Sequence, residues 1–225
     1  MAVPVGSLLS CGNVSSFSIR EMNELPEYPA RSGEKYAMLV SIYVEGGMAV
    51  FAIIVGYFLG IPPAGTLSLT LEGGAVGILA TIPMLAFYVV LSRLRYLPFL
   101  QIRRIVHNFV FFFFRNCSKL QIALICALAG IGEELFFRGL LQVGLEKYIG
   151  GQTGLIIAIL VSSLIFGLAH FITKTYAVLA FVIGVYLGLL FYFTGNIMVP
   201  IITHAVYDYC VIKFLLRTPR RKRVV

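Results

Sequence analysis

Charged residues are scarce in this chain of 225 residues, at 12% of the total against roughly 25% in soluble domains. Hydrophobic residues make up 59%, and the mean hydropathy is +0.92. This composition argues against a water-soluble fold. Because a helix needs about 20 apolar residues to cross a bilayer, the length allows roughly five to seven crossings in one domain. We therefore predict an all-α polytopic membrane bundle.

Cysteine is also sparse, and its positions never form a Cys-x-x-Cys spacing, which argues against both a disulfide framework and a thiolate metal site. The four cysteines are Cys11, Cys117, Cys126 and Cys210. The formal net charge of +8 comes from Lys and Arg residues that lie mainly between and after apolar runs. We interpret that distribution as a signal of membrane topology and expect no nucleic-acid partner.

Six apolar runs of spanning length follow a polar N-terminal tail at 1–35. They lie at 36–60, 75–94, 119–144, 153–171, 176–194 and 197–216. The loop at 61–74 has no Lys or Arg, whereas the connection after the second run has six, which is a positive-inside signal. It predicts about six spans in a domain at 36–216, with both termini and the basic tail at 217–225 on the cytoplasmic side of the cell membrane.

The connection between the second and third runs is itself amphipathic. Residues 99–114 combine Arg103, Arg104 and His107 with four consecutive phenylalanines at 111–114. Such a mixture is typical of a helix that lies in the membrane interface. We predict an interfacial helix here.

Glu133, Glu134 and Arg138 are charged side chains inside the third apolar run, and Asp208 is one inside the sixth. Each would cost about 2.5 to 3.5 kcal/mol at the bilayer centre, so together they would cost roughly 10 to 14 kcal/mol if unpaired. That rivals the net stability of about 5 to 15 kcal/mol of a typical domain. These groups must therefore face one another or a hydrated cavity, and they are candidates for function.

Their spacing predicts a shared site. Residues four apart lie on one helix face, so Glu134 can pair with Arg138, and His204 with Asp208. Glu133 is rotated by about 100° from Glu134 and is available for another task. A carboxylate and two imidazoles could activate water and stabilise an oxyanion, as peptide hydrolysis requires. Taken singly, the Glu134–Arg138 pair could instead lock helices, and a lone histidine could serve packing.

The combination of three segments resembles a known family. The chain reads GEELFFRG at 132–139, FGLAH at 166–170 and THAVYD at 203–208. The patterns EExxxR, FxxxH and HxxxD, in this order, resemble the signatures of the CAAX-protease and bacteriocin-processing (CPBP) family. That family includes type II CAAX prenyl endopeptidases and Abi-like self-immunity proteins, and the resemblance covers roughly residues 119–212.

The resemblance implies an intramembrane endopeptidase in which Glu133 activates water with the help of His170 and His204. Asp208 would orient His204 or help to bind the oxyanion, while Glu134 and Arg138 would support the site. It further implies a substrate that is a peptide or a lipid-modified protein, such as a prenylated CAAX protein, presented at the bilayer.

Metal dependence divides the mechanisms that the resemblance allows. Glu133, His170 and His204 form a possible zinc set. However, no HExxH pair is present on one helix, and we favour a glutamate mechanism without a cofactor.

Other intramembrane protease classes lack their required residues here. A diaspartyl enzyme needs two aspartates, and Asp208 is the only one in the chain. A rhomboid-like serine protease needs a Gly-x-Ser nucleophile motif, which is absent. Both classes are excluded.

One geometric conflict accompanies this interpretation. On the predicted bounds, Glu133 and His204 lie nearer the external end of their runs, whereas His170 lies near the cytoplasmic end of its own. Straight helices with these bounds would keep them apart. We expect shifted bounds, or a fourth helix that is displaced or broken near Gly167.

Two other functional classes stay open on the residues alone. A non-catalytic membrane scaffold or bacteriocin self-immunity protein could keep the charged cluster for folding or partner binding. An ion or proton carrier could use the same buried carboxylates, and Glu45 in the first run would suit it. The joint presence of Glu133, His170 and His204 favours the enzyme.

Overall fold

The computed structural model describes residues 32–218, and no strand occurs in that range. The predicted tails at 1–35 and 217–225 lie almost wholly outside it. The described elements are helical: α1 (Ser32–Val40), π1 (Ser41–Gly46), α2 (Gly47–Leu59), α3 (Leu71–Arg93), α4 (Leu97–Phe114), α5 (Lys119–Glu134), π2 (Leu135–Gln142), α6 (Val143–Ile149), α7 (Gly151–Ala169), α8 (Lys174–Thr194) and α9 (Met198–Arg217).

Six helices among residues 32–218 are long and apolar enough to cross a membrane. They are Lys35–Leu59, Leu71–Arg93, Lys119–Ile149, Gly151–Ala169, Lys174–Thr194 and Met198–Arg217. The all-α polytopic architecture with about six spans is thus confirmed. Five of the six agree with the predicted runs within about four residues at each end, and the third extends five residues further, to Ile149.

The third span is the axis of the bundle. It continues through α5, π2 and α6 for 31 residues, or about 46 Å at 1.5 Å per residue. Its capping box satisfies two backbone N–H groups at the start of the span, those of Ser118 and Gln121. Glu133 is the fifteenth residue of this span and therefore lies near its middle.

The long third span accounts for the conflict over depth. Helix α7 is continuous through Gly167 and ends at Ala169, so the proposed break is absent. His170 follows directly, and its Nε2 atom lies 3.6 Å from Oε2 of Glu133. The cytoplasmic end predicted for the fourth span therefore meets the middle of the third. The predicted bound at 144 was wrong because Val143–Ile149 continues the helix despite carrying Glu146 and Lys147.

The predicted interfacial segment forms α4, with Pro98 in its first turn, where a missing N–H removes no helical hydrogen bond. Val110 and Phe114 of α4 are buried against α5 and α9, where they contact a cluster that includes Cys126 and Leu215. This packing fixes one face of α4. Its location in the membrane interface stays a prediction.

Gly139 allows the loop after the first span to pack closely against the third span. A Cβ added at Gly139 would lie 2.4 Å from the carbonyl oxygen of Pro63. Only a residue without a side chain fits such an approach.

We expect Gly139→Ala to lower the stability by about 1 to 3 kcal/mol, because the loop or helix must shift to admit the methyl group. Thermal unfolding in detergent micelles measures the effect. Gly74→Ala in α3 is the matched control, since its Cβ would meet only Met198 Cε at an ordinary 3.6 Å. Equal melting temperatures for the two variants would contradict the close approach.

Candidate active site

The two adjacent glutamates end α5 immediately before the π-helical segment π2. Glu133 is 7% exposed, and Glu134 and Arg138 are 0% exposed. A π-helix closes its hydrogen bonds over five residues and is frequent at functional sites. Its wider turn displaces the residues after Glu134 from an ideal α-helical register. The predicted pairing of Glu134 with Arg138 is nevertheless made, with Arg138 Nη1 donating to Glu134 Oε1 at 3.0 Å.

Glu134 and Arg138 together connect three helices of the bundle. The Oε1 atom of Glu134 also lies 2.8 Å from Nδ1 of His204 in α9. Arg138 donates through Nη2 to the carbonyl oxygen of Gly184 in α8 at 2.9 Å. Its guanidinium lies over the ring of Phe166, 4.8 Å from the centroid. Every one of these contacts is desolvated, so this network positions α5, α8 and α9 around Glu133.

His204 lies between two carboxylates. Nδ1 faces Glu134, and Nε2 lies 3.5 Å from Oδ2 of Asp208, one turn further along α9. The predicted pairing of His204 with Asp208 is therefore confirmed. Because carboxylate oxygens only accept hydrogen bonds, this arrangement suits an imidazolium with a proton on each nitrogen. Such a cation can stabilise negative charge that develops nearby.

His170 has the opposite character. Its Nδ1 atom lies 2.8 Å from the carbonyl oxygen of Phe166, an acceptor, so Nδ1 carries the proton. In the neutral ring Nε2 then holds a lone pair, directed toward Glu133 Oε2 at 3.6 Å. Burial lowers the pKa of His170 below its ordinary value, which favours this neutral form. His170 is thus equipped to accept a proton.

Aromatic rings enclose the cluster. The ring of Phe166 lies 4.4 Å from that of His170, 5.1 Å from that of Phe137 and 6.0 Å from that of His204. Apolar walls strengthen electrostatic interactions by lowering the local dielectric constant. The side chains of His170 and Asp208 are 28% and 33% exposed. A substrate would therefore approach from their side of the cluster.

The possible zinc set of Glu133, His170 and His204 does not fit this geometry. No group of three or more His, Cys, Asp or Glu side chains in the described part of the chain is arranged to hold a metal ion. Both nitrogens of His204 already face carboxylates, and Nδ1 of His170 faces a carbonyl oxygen. Of the set Glu133, His170 and His204, this leaves only Glu133 and one nitrogen of His170 as available donors, fewer than the three protein ligands of catalytic zinc.

From the sequence alone, Glu45 is a candidate only for an ion or proton carrier, and Tyr176 is not a candidate for any functional role. The Glu45 carboxylate interacts electrostatically with His204, Asp208 and Glu133. Tyr176, in the first turn of α8, interacts with Asp208 and Glu133. A single acid in an otherwise apolar span was the available signal for Glu45. No sequence signal distinguished Tyr176 from the eleven other tyrosines.

The fold and this cluster define an integral, multi-pass membrane protein with an acid and histidine centre inside its helical bundle. Residues 115–210 match the family model described as type II CAAX prenyl endopeptidase Rce1-like. Over this segment, a little under half of its length, the chain is similar to the CPBP family of intramembrane proteases. The match contains all six of the predicted site residues. No curated protein and no solved structure matches the chain.

Proposed function

We propose that this protein is an intramembrane endopeptidase of the CAAX type, in which Glu133 activates water for attack on a peptide bond. The observation that carries the proposal is the Glu133–His170 contact, because it places a buried carboxylate beside an unprotonated imidazole nitrogen. The family match to CAAX prenyl endopeptidases supports the same reaction class.

The reaction follows from the roles that the contacts support. Glu133 takes one proton from water as the water oxygen bonds to the peptide carbonyl carbon, and the carbonyl oxygen becomes an oxyanion. The imidazolium of His204 stabilises that charge. The proton passes from Glu133 through His170 to the leaving nitrogen, and the C–N bond breaks. The products are a carboxylic acid and an amine, so one water is consumed for each bond.

The other charged residues act by positioning. Glu134 and Arg138 hold His204 through the buried network. Asp208 orients His204 from the exposed side and stabilises its positive charge. None of these steps requires a metal ion.

A prenylated C-terminal peptide is the substrate class that the family name indicates. Prenylation attaches a prenyl lipid to the cysteine of a C-terminal Cys-a-a-X sequence, and the lipid anchors that segment in the membrane. An anchored substrate would reach the cluster from the bilayer, where an aromatic wall at Phe166 adjoins His170.

The test uses the full chain in liposomes with a farnesylated peptide that ends in Cys-a-a-X, and mass spectrometry of the products. We expect endoproteolytic cleavage that persists with a chelator and is weaker for the same peptide without the lipid. Loss of cleavage on chelation would refute the metal-independent mechanism. Folded protein that cleaves neither peptide would favour a scaffold or self-immunity role.

Asp208→Asn tests the positioning role of Asp208. The amide keeps an acceptor oxygen but loses the charge that stabilises the His204 imidazolium, so we expect kcat to fall by about tenfold. Asp208→Leu removes both and should lower kcat further. Steady-state kinetics with the farnesylated peptide measure the change. An Asp208→Asn rate equal to or above that of the wild type would assign this position to oxyanion binding instead.

A further inference from the structure

Glu45 lies in the first span, outside the segment that matches the family model, yet it is part of the same cluster. It belongs to π1, which packs against α5. Its neighbours Tyr43 and Val44 are exposed on the outer face of the bundle, Tyr43 at 75%. The carboxylate of Glu45, in contrast, interacts with His204 and Asp208. Its side chain therefore faces the interior.

The backbones of π1 and α5 meet at Glu45. A Cβ added at Gly132 would lie 2.2 Å from the carbonyl oxygen of Glu45 and 3.1 Å from its Cα atom. Glycine at 132 is what permits this approach, and Glu133 is the next residue. The contact brings Glu45 beside the residue that we propose as the base, and the two carboxylates interact electrostatically.

Both carboxylates have an oxygen atom without a donor. Oε2 of Glu45 and Oε2 of Glu133 are buried with no hydrogen-bond partner among the described residues. A buried acceptor without a donor is costly, and more so when it is charged. A water molecule carries two O–H donors and is held in interiors by two to four polar partners. One water between Glu45 and Glu133 would satisfy both oxygens.

We infer that Glu45 is a second carboxylate of the active site and accepts a hydrogen bond from the water that Glu133 activates. This inference rests on the proposed function. Glu133 removes one proton of that water, and Glu45 holds the other O–H, which orients the oxygen lone pair for attack. The second hydrogen stays on the oxygen and becomes part of the new carboxylic acid, so Glu45 accepts no net proton.

The test compares Glu45→Leu, Glu45→Gln and the wild type in liposomes with the farnesylated peptide, by kcat and KM. Loss of one charged hydrogen bond to the reacting water should lower kcat of Glu45→Leu by about 10- to 100-fold, with KM within about threefold. Glu45→Gln keeps an acceptor oxygen and should recover much of the loss. Tyr43→Leu, on the exposed face of π1, is the matched control and should retain wild-type kinetics.

Thermal unfolding of the same variants separates water positioning from a structural role. Oε2 of Glu45 is buried and has no hydrogen-bond partner among the described residues to lose, so Glu45→Leu should unfold at or above the wild-type temperature. A variant with wild-type kcat would overturn the inference and leave the proposed function standing. The inference would also be overturned if Glu45→Leu lost kcat together with a lower melting temperature and Glu45→Gln did not restore kcat. Wild-type protein that cleaves no peptide would overturn the proposed function and this inference together.

Discussion

Glu133→Gln is expected to lower kcat for peptide cleavage by about 10³-fold or more while the protein stays folded. Glutamine has nearly the same shape but cannot take a proton from water, and a positioned general base contributes about 10² to 10⁴-fold. Stability should be kept, because the change removes a buried charge whose Oε2 atom has no hydrogen-bond partner among the described residues. The measurements are steady-state kinetics with the farnesylated peptide and thermal unfolding in micelles.

Glu146→Gln is the matched control for this variant. Glu146 lies 13 residues further along the same span, in α6, and is partly exposed. The substitution is chemically identical, so the control should keep wild-type kcat. A Glu133→Gln rate within tenfold of the wild type would rule out Glu133 as the base and would move the search for the base to Glu45 or His170.

The pairs within one helix were predictable from the sequence, because residues four apart share a helix face. Glu134 pairs with Arg138, and His204 with Asp208, as that rule predicts. The contact of Glu134 with His204 joins positions 70 residues apart. It depends on the relative height of α5 and α9, and single-sequence periodicity carries no information about height. The sequence therefore predicted the pairs within one helix, but neither the contact between helices nor the addition of Glu45 and Tyr176 to the cluster.

The helix geometry around the glutamates was likewise outside the reach of periodicity. The segment Leu135–Gln142 has an ordinary apolar composition, and nothing in it marks a π-helix. Glu146 and Lys147 are typical of residues beyond the end of a spanning helix, so the predicted third span stops before them, whereas in the structure both lie within α6. The added length of the third span brings Glu133 to the level of His170. The conflict over depth arose from the predicted bound at 144.

Glu45 shows a different limit of the sequence. An acid in an apolar span is a functional candidate by default, but the sequence does not say which partner it meets. The answer lies in the contact of its backbone with Gly132. Gly132 stands beside the EExxxR pattern, and its lack of a side chain becomes informative only when the neighbouring helix is known.

Arg138→Met is expected to destabilise the protein by about 3 to 5 kcal/mol, the usual cost of removing one partner of a buried ion pair. Arg138 is fully buried, and its loss leaves Glu134 without its cation and the Gly184 carbonyl oxygen without its donor. Lys174→Met, at an exposed position in α8, is the control and should change stability little. Unfolding in mixed micelles, followed by circular dichroism, measures both variants.

The double variant Glu134→Leu with Arg138→Met tells a structural pair from a catalytic one. Replacing both partners of a buried pair by apolar residues is often nearly neutral for stability, so the double variant should be less destabilised than the two single changes predict by addition. It should still cleave poorly, because His204 loses the carboxylate at its Nδ1 atom. A folded Arg138→Met protein with normal stability and no cleavage would instead place the guanidinium in the chemical step.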